Sequence, residues 1–166
     1  MSGQIVWSYW VDAMSSTQAV ELSETERRNI EQACAALSFD YCEFVDAKEF
    51  QRLRGVFAEA VVFGPPNAPG ELVRGADATI ASLASIPPTL VTQHLAFNIR
   101  VRVESADSAA GSCRLLIYLA DANEPETPEG RKAAAKQLIG IYHDRYVRTA
   151  SGWRIAERRG KTLLHT

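Results

Sequence analysis

The period of the apolar residues changes once along this chain, around Pro87-Pro88-Thr89. Before that point apolar residues recur at three- and four-residue steps; after it they alternate with polar ones. A helix repeats every 3.6 residues and a strand every two, so helices are predicted first and a run of antiparallel strands after them. The chain has 166 residues and is 46% hydrophobic, the size of one domain with a single core large enough to enclose a cavity as well.

The helical half carries clear punctuation. Ser23-Glu24-Thr25-Glu26 has the Ser-x-x-Glu form of a capping box, with Leu22 before it as a staple residue. A helix starting there places Ile30, Cys34, Leu37, Tyr41 and then Phe44 or Val45 on one apolar stripe. Asp46 and Glu49 form an Asp-x-x-Glu start for a second helix over 47–58, with Phe50, Leu53 and Phe57 at helical spacing. Residues 60–63 read as a short strand, and Gly64-Pro65-Pro66-Asn67-Ala68-Pro69-Gly70 as a loop at a pocket mouth. Gly75-Ala76-Asp77 opens a third helix, with Ile80 and Leu83 inward, ended by Pro87-Pro88.

In the alternating half, 90–104 is a strand with Ile99, Val101 and Val103 on one face and Arg100, Arg102 and Glu104 on the other. A turn is expected at 107–111, a central strand at 113–120, and a solvated loop at 121–131. Residues 138–149 and 153–159 form a hairpin through Ala150-Ser151-Gly152. Tyr142, Asp144 and Tyr146 alternate onto one side of it and Ile141, His143 and Val147 onto the other. If the polar side lines a cavity, two phenols and a carboxylate face a substrate; if it faces water, they are surface residues.

Two segments bring chemistry. Tyr41 and Asp46 stand near the end of the first helix, and Thr92-Gln93-His94 supplies one of three histidines. A carboxylate that accepts a hydrogen bond from one imidazole nitrogen fixes the tautomer and leaves the other nitrogen basic near neutral pH. Asp46 and His94 are therefore a candidate general-base pair, a role compatible with Asp46 capping a helix. Tyr41 is equally a core aromatic whose hydroxyl is satisfied by backbone. Strict alternation sets His94 in phase with Asn98, Arg100 and Arg102, so the pair requires a bulge between His94 and Arg100.

Composition narrows the rest. Net charge is −2 with both signs spread along the chain, so no basic stripe marks a nucleic-acid partner. Cys34, Cys42 and Cys113 show no metal-ligand spacing and read as small buried apolar residues of a reducing compartment. No apolar run approaches the roughly 20 residues of a membrane span, and the start lacks a secretion signal, so the chain reads as a soluble cytoplasmic protein with no membrane partner. Ile5, Val6, Trp7, Tyr9, Trp10 and Val11 form an aromatic arm suited to packing on the body or on a neighbouring subunit. One domain spans 1–166, with the arm at 1–21, the core at 22–159 and a tail at 160–166 that contains His165.

Three helices, a curved antiparallel sheet and Tyr41-x-x-x-x-Asp46 at the end of the first helix resemble the nuclear-transport-factor-like superfamily, in its SnoaL-like, scytalone dehydratase-like branch. The resemblance runs from about Ser23 to Arg159. Asp46-Ala47-Lys48-Glu49-Phe50-Gln51-Arg52-Leu53 is similar to the stretch with the catalytic aspartate of scytalone dehydratase, and Thr92-Gln93-His94 to the stretch with its first catalytic histidine. Bile-acid dehydratases of the superfamily share the five-residue tyrosine-to-aspartate separation. A second catalytic histidine of scytalone dehydratase has no counterpart in 113–120.

The resemblance implies an α+β cone: three N-terminal helices packed on a strongly curved antiparallel or mixed sheet that encloses a pocket. It also implies a cofactor-free lyase of dehydratase type acting on a small hydrophobic molecule such as a cyclic hydroxy-ketone, with no metal. Asp46, His94 and Tyr41 would be catalytic, and Tyr142, Asp144, Tyr118 and Asn98 would contact substrate. The alternatives are a proton-shuttling isomerase like ketosteroid isomerase, or a non-catalytic module like the small subunit of ring-hydroxylating dioxygenases. A homodimer or homotrimer is the assembly implied.

Overall fold

The computed structural model describes residues 21–166 except 67 and 69; all but the last residue of the expected aromatic arm lies outside the described residues. Helix α1 (Glu24–Asp46) begins at the capping box: the Glu26 N–H donates to Ser23 Oγ at 3.2 Å and the Ser23 N–H to Glu26 Oε2 at 2.8 Å. Its buried stripe is Ile30, Cys34, Leu37, Ser38, Tyr41, Cys42, Phe44 and Val45. At the other end the Glu49 N–H reaches the Phe44 carbonyl at 2.8 Å and the Lys48 N–H the Val45 carbonyl at 3.1 Å. These two bonds close a helix through a left-handed residue, here Lys48 at φ +58°.

That closure corrects the second helix. Only a 3-10 turn, Phe50–Gly55, follows α1, and its N-cap is Glu49 with no side-chain capping bond. Phe57 begins strand β1 (Phe57–Gly64), so the helical spacing of Phe50, Leu53 and Phe57 joins two elements. Strand β2 (Val73–Arg74) leads into α2 (Ala76–Ala84), whose Ile80 and Leu83 are buried as expected.

Four long strands follow two by two: β3 (Leu90–Val103) with β4 (Ser108–Asp121), and β7 (Gln137–Thr149) with β8 (Gly152–His165). Between the pairs lies a two-stranded ribbon, β5 (Glu126–Thr127) and β6 (Gly130–Arg131). The chain reverses at Ser105–Asp107, ahead of the expected turn, and β4 starts at Ser108. The expected tail is strand as well, since His165 pairs with Leu138 at the end of β8. The large sheet has the order β2-β1-β8-β7-β4-β3. It is mixed, because β1 runs parallel to β8 while its other pairs are antiparallel.

Helix α1 packs on β3, β4 and β8, and α2 on β1. One core joins them, with Cys34 and Tyr41 from α1, Val61 and Phe63 from β1, Leu115 from β4 and Ile155 from β8, none more than 2% exposed.

Two of the sheet's bulges, one in β3 and one in β8, decide the facing of the side chains discussed below. In β3, Phe97 pairs with Arg114 and Arg100 with Ser112, so Asn98 and Ile99 together oppose Cys113, and Asn98 takes a left-handed φ of +50°. In β8, Ile155 pairs with Tyr146 and Glu157 with Arg145, which leaves Ala156 as the extra residue. A bulge adds one residue to a period of two and reverses the facing of everything beyond it.

Candidate active site

The β3 bulge resolves the facing of His94. Thr92, His94 and Ala96 lean toward α1 before it, and Ile99, Val101 and Val103 after it, while Arg100 and Arg102 are exposed. Strand β3 is an edge of the sheet, so its outward backbone groups need partners from elsewhere. The end of α1 supplies them. Asp46, the last residue of α1, accepts the His94 backbone N–H on Oδ2 at 2.6 Å and the Thr92 hydroxyl on Oδ1 at 2.7 Å. His94 Nδ1 lies 2.5 Å from Asp46 Oδ1.

With three bonds holding the carboxylate, the imidazole is fixed as its Nδ1–H tautomer. Its Nε2 has no hydrogen-bond partner among the described residues. The side chains of His94 and Asp46 are 9% and 12% exposed, dry enough to strengthen the pair.

A second polar cluster lies deeper. Tyr142, Asp144 and Tyr146 face the core, not water. There they meet Arg158, whose side chain is completely buried and which spacing did not single out. Arg158 Nε donates to Asp144 Oδ1 at 2.8 Å and Nη2 to Oδ2 at 2.6 Å, with a further bond from Nη2 to Ser38 Oγ at 3.1 Å. Tyr146 donates its hydroxyl to Asp144 at 3.1 Å. The guanidinium carbon stands 4.4 Å from the Tyr41 ring centre and 4.5 Å from that of Tyr142, within cation–π range. Strict alternation from Ile155 would turn Glu157 inward; the bulge at Ala156 turns Arg158 inward instead.

Tyr41 belongs to this second cluster. Its hydroxyl lies 3.5 Å from that of Tyr142 and bonds neither Asp46 nor His94 among the described residues. Burial pushes its phenol up to about 12, with Arg158 opposing. Burial also raises Tyr142 well above the ordinary phenol range, and the neighbouring Tyr41 adds to it. Both phenols are therefore proton donors throughout the neutral range. Asp144 has both oxygens occupied by Arg158 and Tyr146, so the structure gives it a supporting contact where substrate contact was expected.

The other expected contacts lie elsewhere. Asn98 is exposed at the bulge. Tyr118 pairs with Gln93, one position out of phase with His94 and Ile117, and so stands on the opposite sheet face. It lines a surface hollow of about 410 Å³ with Thr92, Glu126 and Arg131. Cys34 and Cys42 are buried, which pushes both thiols up to about 12. Among the described residues no group of three or more His, Cys, Asp or Glu is placed to hold a metal, and no helix is long and apolar enough to cross a membrane.

Solved structures share this arrangement of elements. A candidate scytalone dehydratase from Novosphingobium aromaticivorans is 24% identical with a TM-score of 0.71, over 86% of this chain and 90% of that one. A hexachlorocyclohexane dehydrochlorinase, LinA type 3 from Novosphingobium barchaimii, is 18% identical with a TM-score of 0.69, over 87% and 93%. A candidate dehydratase of the nuclear transport factor-like family from Streptomyces avermitilis is 16% identical with a TM-score of 0.70, over 82% and 99%. At these identities the likeness is one of fold. No curated protein matches the sequence. A family model described as a SnoaL-like domain matches residues 25–159, and the chain belongs to that family.

Proposed function

We propose that the protein is a lyase of dehydratase type that uses the Asp46–His94 pair as general base on a hydrophobic cyclic hydroxy-ketone. The observation that carries this reading is the imidazole pinned through Nδ1 by a largely buried carboxylate, with Nε2 left without a partner among the described residues. The names borne by the structural relatives, dehydratase and dehydrochlorinase, support the coarser class: both denote elimination of H–X from neighbouring carbons.

In the forward step, His94 Nε2 takes the proton from the carbon beside the substrate carbonyl, and the C–H electron pair passes into the carbonyl as an enolate. Asp46 stabilises the imidazolium that forms. The enolate then re-forms its carbonyl and the carbon–oxygen bond to the β-hydroxyl breaks. His94 returns its proton to the departing oxygen, which leaves as water, and the base is restored. General acid–base catalysis contributes about 10²–10⁴-fold, and one donor to the enolate oxygen about 10²–10³-fold more. Tyr41, protonated and five residues before Asp46 on α1, with the Tyr142 hydroxyl beside its own, is the proposed source of that donor.

The test is a panel of alicyclic and aromatic β-hydroxy-ketones followed by mass spectrometry. Loss of water with wild-type protein, and its loss by at least about 10²-fold in Asp46→Asn and His94→Ala, is the expected result. A product of unchanged mass would replace dehydration with isomerisation. Full turnover by a folded His94→Ala variant would remove the base assignment.

A further inference from the structure

Lys48 occupies the left-handed position that ends α1, at φ +58°. Glycine adopts that conformation freely, whereas a side chain is strained in it. What the lysine gains in return is visible at its far end. Its Nζ donates to the carbonyls of Leu90 at 2.8 Å, Pro88 at 2.9 Å and Pro87 at 3.3 Å, which uses all three of its hydrogens.

Those acceptors lead directly into the strand of the candidate site. Leu90 is the first residue of β3, and Thr92 and His94 follow on the same side. The Leu90 carbonyl and the His94 N–H are backbone groups of an edge strand, and the end of α1 caps both: Lys48 donates to the first and Asp46 accepts from the second. The prolines before Leu90 have no N–H with which to anchor this stretch. An ammonium two residues beyond Asp46 thus ties the end of α1 to the start of β3.

We propose that Lys48 is a positioning residue, a clamp between the end of α1 and the start of β3 that sets the Asp46–His94 hydrogen bond. Its catalytic consequence rests on the general-base reading; its geometric content does not. The strain at Lys48 then serves the site, and a glycine there would relax the backbone while releasing the pair.

The experiment compares wild type with Lys48→Gly, Lys48→Met and Asp46→Asn, using nitrogen-edited NMR of labelled histidine for the His94 Nδ1 proton and thermal unfolding for stability. In wild type the Nδ1 proton should be strongly deshielded and slow to exchange. Lys48→Gly should fold with a melting temperature at or above that of wild type, yet speed exchange of that proton by about tenfold or more, toward Asp46→Asn. Lys48→Met, which keeps the strain and loses the donors, should lose both stability and the protected proton.

A Lys48→Gly protein with wild-type stability and an unchanged ring proton would overturn the proposal and leave Lys48 as a helix terminator. If Lys48→Gly frees the ring proton while Asp46→Asn leaves dehydration untouched, the clamp stands and the general-base reading falls.

Discussion

Two acid–base pairs lie against α1, one at its end and one against Ser38 and Tyr41, and they differ in what burial has done to them. Asp144 and Arg158 are completely buried at the side chain and joined by two parallel hydrogen bonds, with the guanidinium carbon within 4.5 Å of the centres of two tyrosine rings. Asp46 and His94 retain 12% and 9% of their side-chain surface, and one imidazole nitrogen has no partner among the described residues. The first pair is a fixed charge arrangement inside the core. The second is the pair to which the proposed function assigns the proton transfer. Chemistry of the same sign and spacing thus becomes support in one place and a candidate reaction centre in the other.

The strongest way to break this contrast is to unpair the deep site. Arg158→Met strands the Asp144 carboxylate in the core and should cost about 3–5 kcal/mol in urea unfolding. Adding Asp144→Leu should recover most of that, because the uncompensated charge goes with it. A loss of less than about 1 kcal/mol from Arg158→Met alone would mean that water reaches the pair.

A smaller effect is expected where β4 passes the β3 bulge. A side chain at Gly111 would place its Cβ 2.6 Å from the Arg100 carbonyl oxygen and 3.1 Å from the Tyr146 ring, so Gly111→Ala should destabilise by about 1–3 kcal/mol. It should also disturb the His94 resonances in NMR, since the same bulge sets the facing of that residue. Unchanged His94 signals would separate the bulge from the site.

Alkali sharpens the contrast further. The unfolded phenol of Tyr41 titrates near about 10 and the folded one at about 12. Its contribution is intact below the unfolded value and is lost as pH rises between the two, by about 1.4 kcal/mol per pH unit. Tyr41→Phe should flatten the stability profile across that window. The smallest expected effect is at sulfur: with Cys34 and Cys42 pushed up to about 12 by burial and Cys113 raised in the same direction, native protein at pH 8 should resist thiol reagents that label it once unfolded.

Much of this was legible in the chain. The capping box at Ser23, the stripe through Tyr41 and the change of period after Pro88 follow from local spacing; the pairing of Asp46 with His94 came from residue chemistry and the family resemblance, against strict alternation. What was not legible came mainly from bulges. A period-two reading loses phase at an extra residue: the reversal between His94 and Arg100 could be named only as a condition of the pair, without its position, and the inward turn of Arg158 was hidden altogether. The β3 bulge did leave marks: an asparagine, which tolerates a left-handed backbone, and Gly111, a glycine in mid-strand. Ala156 carries no comparable mark, so Arg158 read as one more charge on a hairpin. The second helix failed for a different reason. Lys48 closes α1 through a conformation usually given to glycine, and a lysine gives no stop signal in sequence.

The most direct measurement of the central claim is a double-mutant cycle on the first hydroxy-ketone found to lose water. Two residues working as one base are grossly non-additive. Asp46→Asn and His94→Ala should each lower kcat/KM by about 10²–10⁴-fold, and the double variant should be little worse than the poorer single one. Fold-losses that multiply in the double variant would show two independent residues and contradict the account.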